Sequence, residues 1–145
     1  MASDGILKTY DAKGCVITLD GIIVMDFADG EFIQVSGMSD NFEFVQGADG
    51  SENRNNKNIT GCDVNIIISQ TSSTNNLFSV KHAIDKLTNA GKGAFLFKDI
   101  NGTSRVGSGQ AYIVGYADMN DGNSLSTRTW KIRCPQADVN VGGNL

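Results

Sequence analysis

Residues 61–91, GCDVNIIISQTSSTNNLFSVKHAIDKLTNAG, change their apolar period across one short polar hinge, and that change restricts the fold more than any other feature of the chain. Cys62, Val64, Ile66 and Ile68 fall on one face at period two, with Asp63, Asn65 and Ser69 on the other and Ile67 as the exception. This is the pattern of a half-buried antiparallel strand. After Gln70 the apolar residues Leu77, Val80, Ile84 and Leu87 recur at helical spacing, with Phe78 widening the stripe. These four are expected to form the core face of an amphipathic helix over residues 75–90. Ser73, Thr74 and Asn75 offer N-caps, and Gly91 can close the last turn in the left-handed conformation. No other stretch offers a comparable helix, so the rest must be sheet and loop that this helix covers.

Turn chemistry sets the remaining elements. Residues 1–12 are short and polar and read as an arm or peripheral strand, with residues 6–10 its extended part. Residues 14–19 and 22–27 read as a hairpin about Asp20-Gly21, because glycine can take the positive φ that a primed turn requires. Ala28-Asp29-Gly30 turns the chain into a strand over residues 32–35, and a new strand follows over residues 42–46, with Phe42 and Phe44 on one face and Glu43 on the other. Residues 47–60, GADGSENRNNKNIT, contain almost nothing to bury. They predict an extended hairpin whose tip leaves the globule and docks on a neighbouring subunit, through Asp49, Gly50, Ser51, Glu52, Asn53, Arg54, Asn55, Asn56 and Lys57.

Beyond the helix, Phe95 and Phe97 alternate with Leu96 and Lys98 in a strand over residues 94–100, and Asn101-Gly102 supplies a positive-φ turn. Residues 110–116 form the next strand, Gly107 and Gly109 permitting a bulge. In residues 127–134, Trp130, Ile132 and Cys134 alternate against Lys131 and Arg133, until Pro135 stops the strand. Residues 136–145 read as a surface extension. The sum is a mainly β (α+β) fold: one domain over residues 13–135, an antiparallel sandwich or partly open barrel of about seven or eight strands with one packed helix. Seventeen glycines and a single proline in 145 residues agree with many turns.

The composition excludes several kinds of chemistry. With Lys+Arg 12 against Asp+Glu 16, a net charge of -4 and only 19% charged residues, the surface is not one built to grip phosphate backbones. Cys15, Cys62 and Cys134 lack metal-ligand spacing and sit in apolar alternating stretches, as buried free thiols do. Nucleophilic catalysis needs a base, and the chain's single histidine, His82, lies at the border of the helix stripe. Glu43 and Asp63, if on adjoining strands, are a carboxylate pair only superficially, since a solvated face accounts for both. We therefore expect no enzyme, cofactor or metal. There is no run long enough to span a bilayer and no charged leader before an apolar stretch, so the product is expected to fold in a cytoplasm without stable membrane association.

The Phe27-Ala28-Asp29-Gly30 turn, the excursion over residues 47–60, the Ser69-Gln70-Thr71-Ser72 segment before Asn75-Asn76, and the hairpin at residues 98–102 together resemble the tail-tube proteins of contractile-tailed bacteriophages. The resemblance extends over residues 14–134. It implies hexameric rings, stacked repeatedly, in which long hairpins over residues 32–69 and 94–116 join in a ring-shaped β-barrel. It also implies partners in the tail sheath, baseplate and tail terminator, transient passage of double-stranded DNA, and a place in the virion. On this resemblance Glu43, Asp63, Asn65, Ser69 and Lys98 are the expected lumen-facing residues. The alternatives are the inner tube of a bacterial contractile injection system and, from a different class, a small ligand-binding sandwich module. The last would need an exposed aromatic cluster beside a pocket, and Trp130 is the only tryptophan.

Overall fold

A computed structural model describes residue 5 and residues 7–144; the part of the expected arm at residues 1–4 and 6 lies outside them. The described chain is mostly antiparallel sheet with one α-helix. Strands β1 (Cys15–Leu19) and β2 (Ile22–Ile23) meet at the expected turn, with Asp20 at φ 50 and Gly21 at φ 82. Both central residues are left-handed, as a primed turn demands. β2 is shorter than the expected strand over residues 22–27, because the chain leaves the layer after Val24. The Ser69 amide donates to the Asp26 carbonyl at 2.8 Å and the Ala28 amide to the Ile67 carbonyl at 3.2 Å, so this segment crosses to the opposite layer.

The strands that follow are β3 (Ile33–Gly37), β4 (Phe42–Gln46), β5 (Glu52–Asn56), β6 (Cys62–Ser69), helix α1 (Thr74–Thr88), β7 (Gly93–Asp99), β8 (Arg105–Ile113), β9 (Thr127–Cys134) and β10 (Asp138–Asn140). The main sheet runs β2-β1-β7-β8-β9-β6-β3, with β10 added beside β8, while β4 and β5 pair only with each other. β8 serves both layers: Arg105 to Ser108 pair with β7, and Tyr112 and Ile113 pair with β9. Between Gly93 and Phe95 the partner on β8 jumps from Ala111 to Ser108. The extra residue falls within Gly109-Gln110, which includes one of the two expected glycines, and a bulge there bends the strand from one layer to the other.

The two layers close on one core. Ile17, Leu19, Phe95 and Val106 from one side meet Val64, Ile66, Ile68, Trp130 and Ile132 from the other, all at or below 3% exposure. Cys15, Cys62 and Cys134 are buried and free, as expected.

The helix is seated differently from the sequence expectation. Leu77, Val80, Ile84 and Leu87 are 49%, 59%, 49% and 85% exposed, while Phe78 is fully buried. The contact face is Thr74, Phe78, His82 and Asp85, also at helical spacing, turned about 135° from the expected stripe. What fixes that rotation is the first turn. Trp130 Nε1 donates to Asn75 Oδ1 at 2.9 Å, and Asn75 Nδ2 donates to the carbonyls of Ser69, Gln70 and Ser72 at 3.1, 3.3 and 3.1 Å. Phe78 then meets Trp130 edge-on at 5.5 Å. Periodicity identifies an apolar stripe but not what covers it, and among the described residues this stripe stays about half or more exposed. Asn89, at φ 58, closes the helix in place of Gly91, whose amide instead donates to Asp85 Oδ1 at 3.0 Å.

One further expectation is corrected. The Asn101-Gly102 turn needs no positive φ, because the buried Asp99 side chain accepts from the Asn101 amide at 3.0 Å and from Asn144 Nδ2 at 2.9 Å. The C-terminal extension lies at the surface, where β10, exposed at all three residues, pairs residues 138–140 with Arg105, Val106 and Gly107.

Candidate assembly surfaces

The outer face of the β3-β6-β9-β8 layer is polar. Strand register aligns Ser36, Asp63, Arg133 and Tyr112 in one row across it, and Gln34, Asn65 and Lys131 in the next. Asp63 accepts from Arg133 Nε at 2.9 Å and lies 3.8 Å from Lys131 Nζ. The bond and charge of Asp63 raise the Arg133 guanidinium pKa above its ordinary value. Asn65 Nδ2 lies 3.5 Å from Gln34 Oε1, and Ser69 Oγ is 3.1 Å from Thr71 Oγ1. Lys131 is the most open of the charged side chains here, at 48% exposure against 34% for Arg133 and 16% for Asp63.

The five residues expected on one lumen face are therefore divided. Asp63, Asn65 and Ser69 share the outer face of β6. Lys98 belongs to the other layer, in register with Val16 and Arg105, where Val16, Ile23 and Leu96 are also exposed. Glu43 lies on the detached hairpin opposite Asn55. This also removes the superficial carboxylate pair, since Asp63 lies opposite Ser36 and Arg133 and not opposite Glu43. The alternation that buries Trp130, Ile132 and Cys134 already turns Lys131 and Arg133 outward, and that was the signal for their place beside Asp63.

The hairpin forms a two-stranded sheet of its own, and its polar arm is a strand. β5 pairs residue for residue with β4, from Phe42 opposite Asn56 to Gln46 opposite Glu52. ENRNN has poor strand propensity, so the pairing, and not the composition, makes it extended. Asp49-Gly50 at the tip was the available signal: Gly50 sits at φ 88, and Asp49 Oδ1 accepts from the Ser51 amide at 3.0 Å, which holds the Asp49 carboxyl below its ordinary pKa. Every residue of both strands is exposed. Phe42 and Phe44 are 48% and 65% exposed, and the Arg54 guanidinium lies 4.4 Å above the Phe42 ring.

A third surface is the uncovered side of α1, where Leu77, Val80 and Ile84 line an open groove of about 380 Å³ together with Ile22, Asp20 and Lys81. Lys81 Nζ lies 2.8 Å from Asp20 Oδ2. His82 sits edge-on to Tyr116 at 4.6 Å, with Nδ1 buried and unbonded. Among the described residues there is no cluster of potential metal ligands and no helix long and apolar enough to cross a membrane.

No family model matches the chain. A structural protein, ORF10, of Pseudomonas phage KPP10 is 28% identical over 141 residues, covering 96% of this chain and 79% of that protein. Among solved structures, the fold matches the tube-terminating cap of the anti-feeding prophage with a TM-score of 0.64 at 10% identity, over 96% of this chain and 95% of the cap. The chain thus resembles a phage structural protein in sequence and a tube-terminating cap in fold.

Proposed function

We propose that this chain is a structural, non-catalytic subunit of a bacteriophage tail tube, closing into hexameric rings that stack into the conduit for genome ejection. The observation that carries the reading is the detached β4–β5 hairpin. An isolated two-stranded hairpin is marginal in water, and this one holds two exposed phenylalanines away from its own core. Such an element is stabilised by burial against another subunit. The sheet edges agree: among the described residues β3 forms one edge of the main sheet and the two-residue β2 the other, and ring closure removes such edges. Likeness to a phage structural protein and to a prophage tube cap supports a tail component.

In this arrangement the bore is lined by the outer face of the β3-β6-β9-β8 layer, with Asp63, Asn65 and Ser69 joined by Lys131 and Arg133. The alternative outer face exposes Val16, Ile23 and Leu96 and suits packing better than a water-filled channel. Lys98 and Glu43 then stand outside the bore. The excursion over residues 47–60 reaches a neighbouring subunit, and sheath, baseplate and terminator proteins meet the ring from outside and at its ends. The subunit's place is the virion, with DNA as a transient passenger.

The likeness to the anti-feeding prophage cap favours a second reading, a ring that ends a tube instead of extending it. The inner tube of a contractile injection system remains a related alternative. Negative-stain images and mass measurement of the purified protein separate these. Stacked rings are expected of a tube subunit; single rings that bind the ends of preformed tubes indicate a cap. A strictly monomeric species at high concentration, even beside tail partners, overturns both.

A further inference from the structure

We infer that the uncovered stripe of α1 is the seat of the β4–β5 hairpin of a second copy of this chain, with Phe44 entering the groove between Leu77, Val80 and Ile84. The inference rests on the assembly proposed above and names the two surfaces that meet. Each surface is incomplete by itself. The groove is apolar and exposed, so the copy's own hairpin does not cover it. The hairpin presents Phe42 and Phe44 on one face with no layer behind them.

Dimensions and charge both match. From Phe42 to Gln46 a strand extends ~14 Å, and from Leu77 to Leu87 a helix rises ~15 Å, so one hairpin face covers the stripe once. On the Phe-bearing face the register places Arg54 opposite Phe44 and Glu52 opposite Gln46. Beside the groove stands Asp20, its side chain 55% exposed and bonded to Lys81, which is itself only 11% exposed. Arg54 meets the open side of the Asp20 carboxylate. Because hairpin and groove are different surfaces of one chain, the contact is head-to-tail, and such contacts close into rings or continue as filaments.

The test uses the full chain carrying Phe44→Glu or Ile84→Glu, followed by sedimentation velocity and thermal melting. Each variant is expected to stay monomeric at concentrations where the unmodified chain assembles, with its melting temperature within about 3 °C. Mixed together they should form a one-to-one dimer, since Phe44→Glu retains a groove and Ile84→Glu retains a hairpin. Val80→Glu, at a second exposed position of the groove, replaces Ile84→Glu if that variant misfolds. A mixture that remains monomeric overturns the docking. If the unmodified chain forms rings and Ile84→Glu forms the same rings, the docking is wrong while the tube reading stands. If mixed dimers form but no ring or tube ever appears, the docking stands and the tube reading falls.

Discussion

Phe78 and Ile84 separate two roles that one helix combines. Phe78 is fully buried and packs edge-on against Trp130, so Phe78→Ala removes most of an aromatic side chain from a closed core and leaves a cavity. The expected cost is about 3–5 kcal/mol in a denaturant titration, whereas a polar residue at the half-exposed Ile84 should leave monomer stability nearly unchanged. Cys134 gives a pH-dependent counterpart. Burial first, then the adjacent Cys62, pushes its thiol from the ordinary 9.0 up to about 12. The folded state therefore holds the proton where the unfolded chain releases it. Stability is fully present below pH 9 and declines as pH rises toward 12, with a slope of at most about 1.4 kcal/mol per pH unit from this group. Melting curves between pH 8 and 11 should show that decline, and Cys134→Ala should reduce it, leaving the contributions of Cys62 and Cys15, whose thiols burial raises in the same direction. The same burial predicts that a thiol reagent modifies none of the three cysteines until the protein unfolds; rapid labelling of the native chain would contradict the packing.

At the scale of elements, the hairpin should be separable from the fold that carries it. The Lys57 amide donates to the Asn41 carbonyl at 2.8 Å, so the two ends of the hairpin already meet, and residues 42–56 can be replaced by a two-residue Asn-Gly loop. The shortened protein is expected to retain its melting temperature within about 3 °C, a change of roughly 1 kcal/mol or less, and to lose the capacity to form rings. Melting curves and electron microscopy read the two outcomes independently. Removing only residues 48–58 is a poorer experiment, because it deletes β5 and exposes the edge of β4. The elements were legible where period and turn chemistry acted together: β6, the Asp20-Gly21 hairpin and β9 follow from alternation bounded by turns. Less legible was what each face meets. The apolar stripe of α1 was plain in the sequence, but the rotation that buries Phe78 is set by Asn75 and Trp130, which lie 55 residues apart. The lumen candidates divide for the same reason. Alternation assigns a side chain to one face of its strand, but only long-range pairing decides which strands share that face, and so Lys98 and Asp63 part company.

For the whole molecule, the proposed bore must let a polyanion pass without holding it. The chain is acidic overall, at -4, yet the face assigned to the bore carries Lys131 and Arg133 against Asp63, one more cation than anion. Asp63 tempers both cations, lying 2.9 Å from Arg133 and 3.8 Å from Lys131. Two cations can displace at most two phosphate counterions per subunit, which limits the slope of log affinity against log salt to about -1.8. The unmodified protomer is accordingly expected to bind duplex DNA with a Kd weaker than about 10⁻⁴ M at physiological salt, as read by fluorescence anisotropy. Asp63→Asn removes the tempering carboxylate while keeping its shape, and should tighten binding several-fold with a steeper salt dependence. Micromolar binding by the unmodified chain would contradict a low-friction bore, because rings stacked along a genome multiply each subunit's hold. An unchanged affinity in Asp63→Asn would place Lys131 and Arg133 away from the DNA path and return the bore to another face of the sheet.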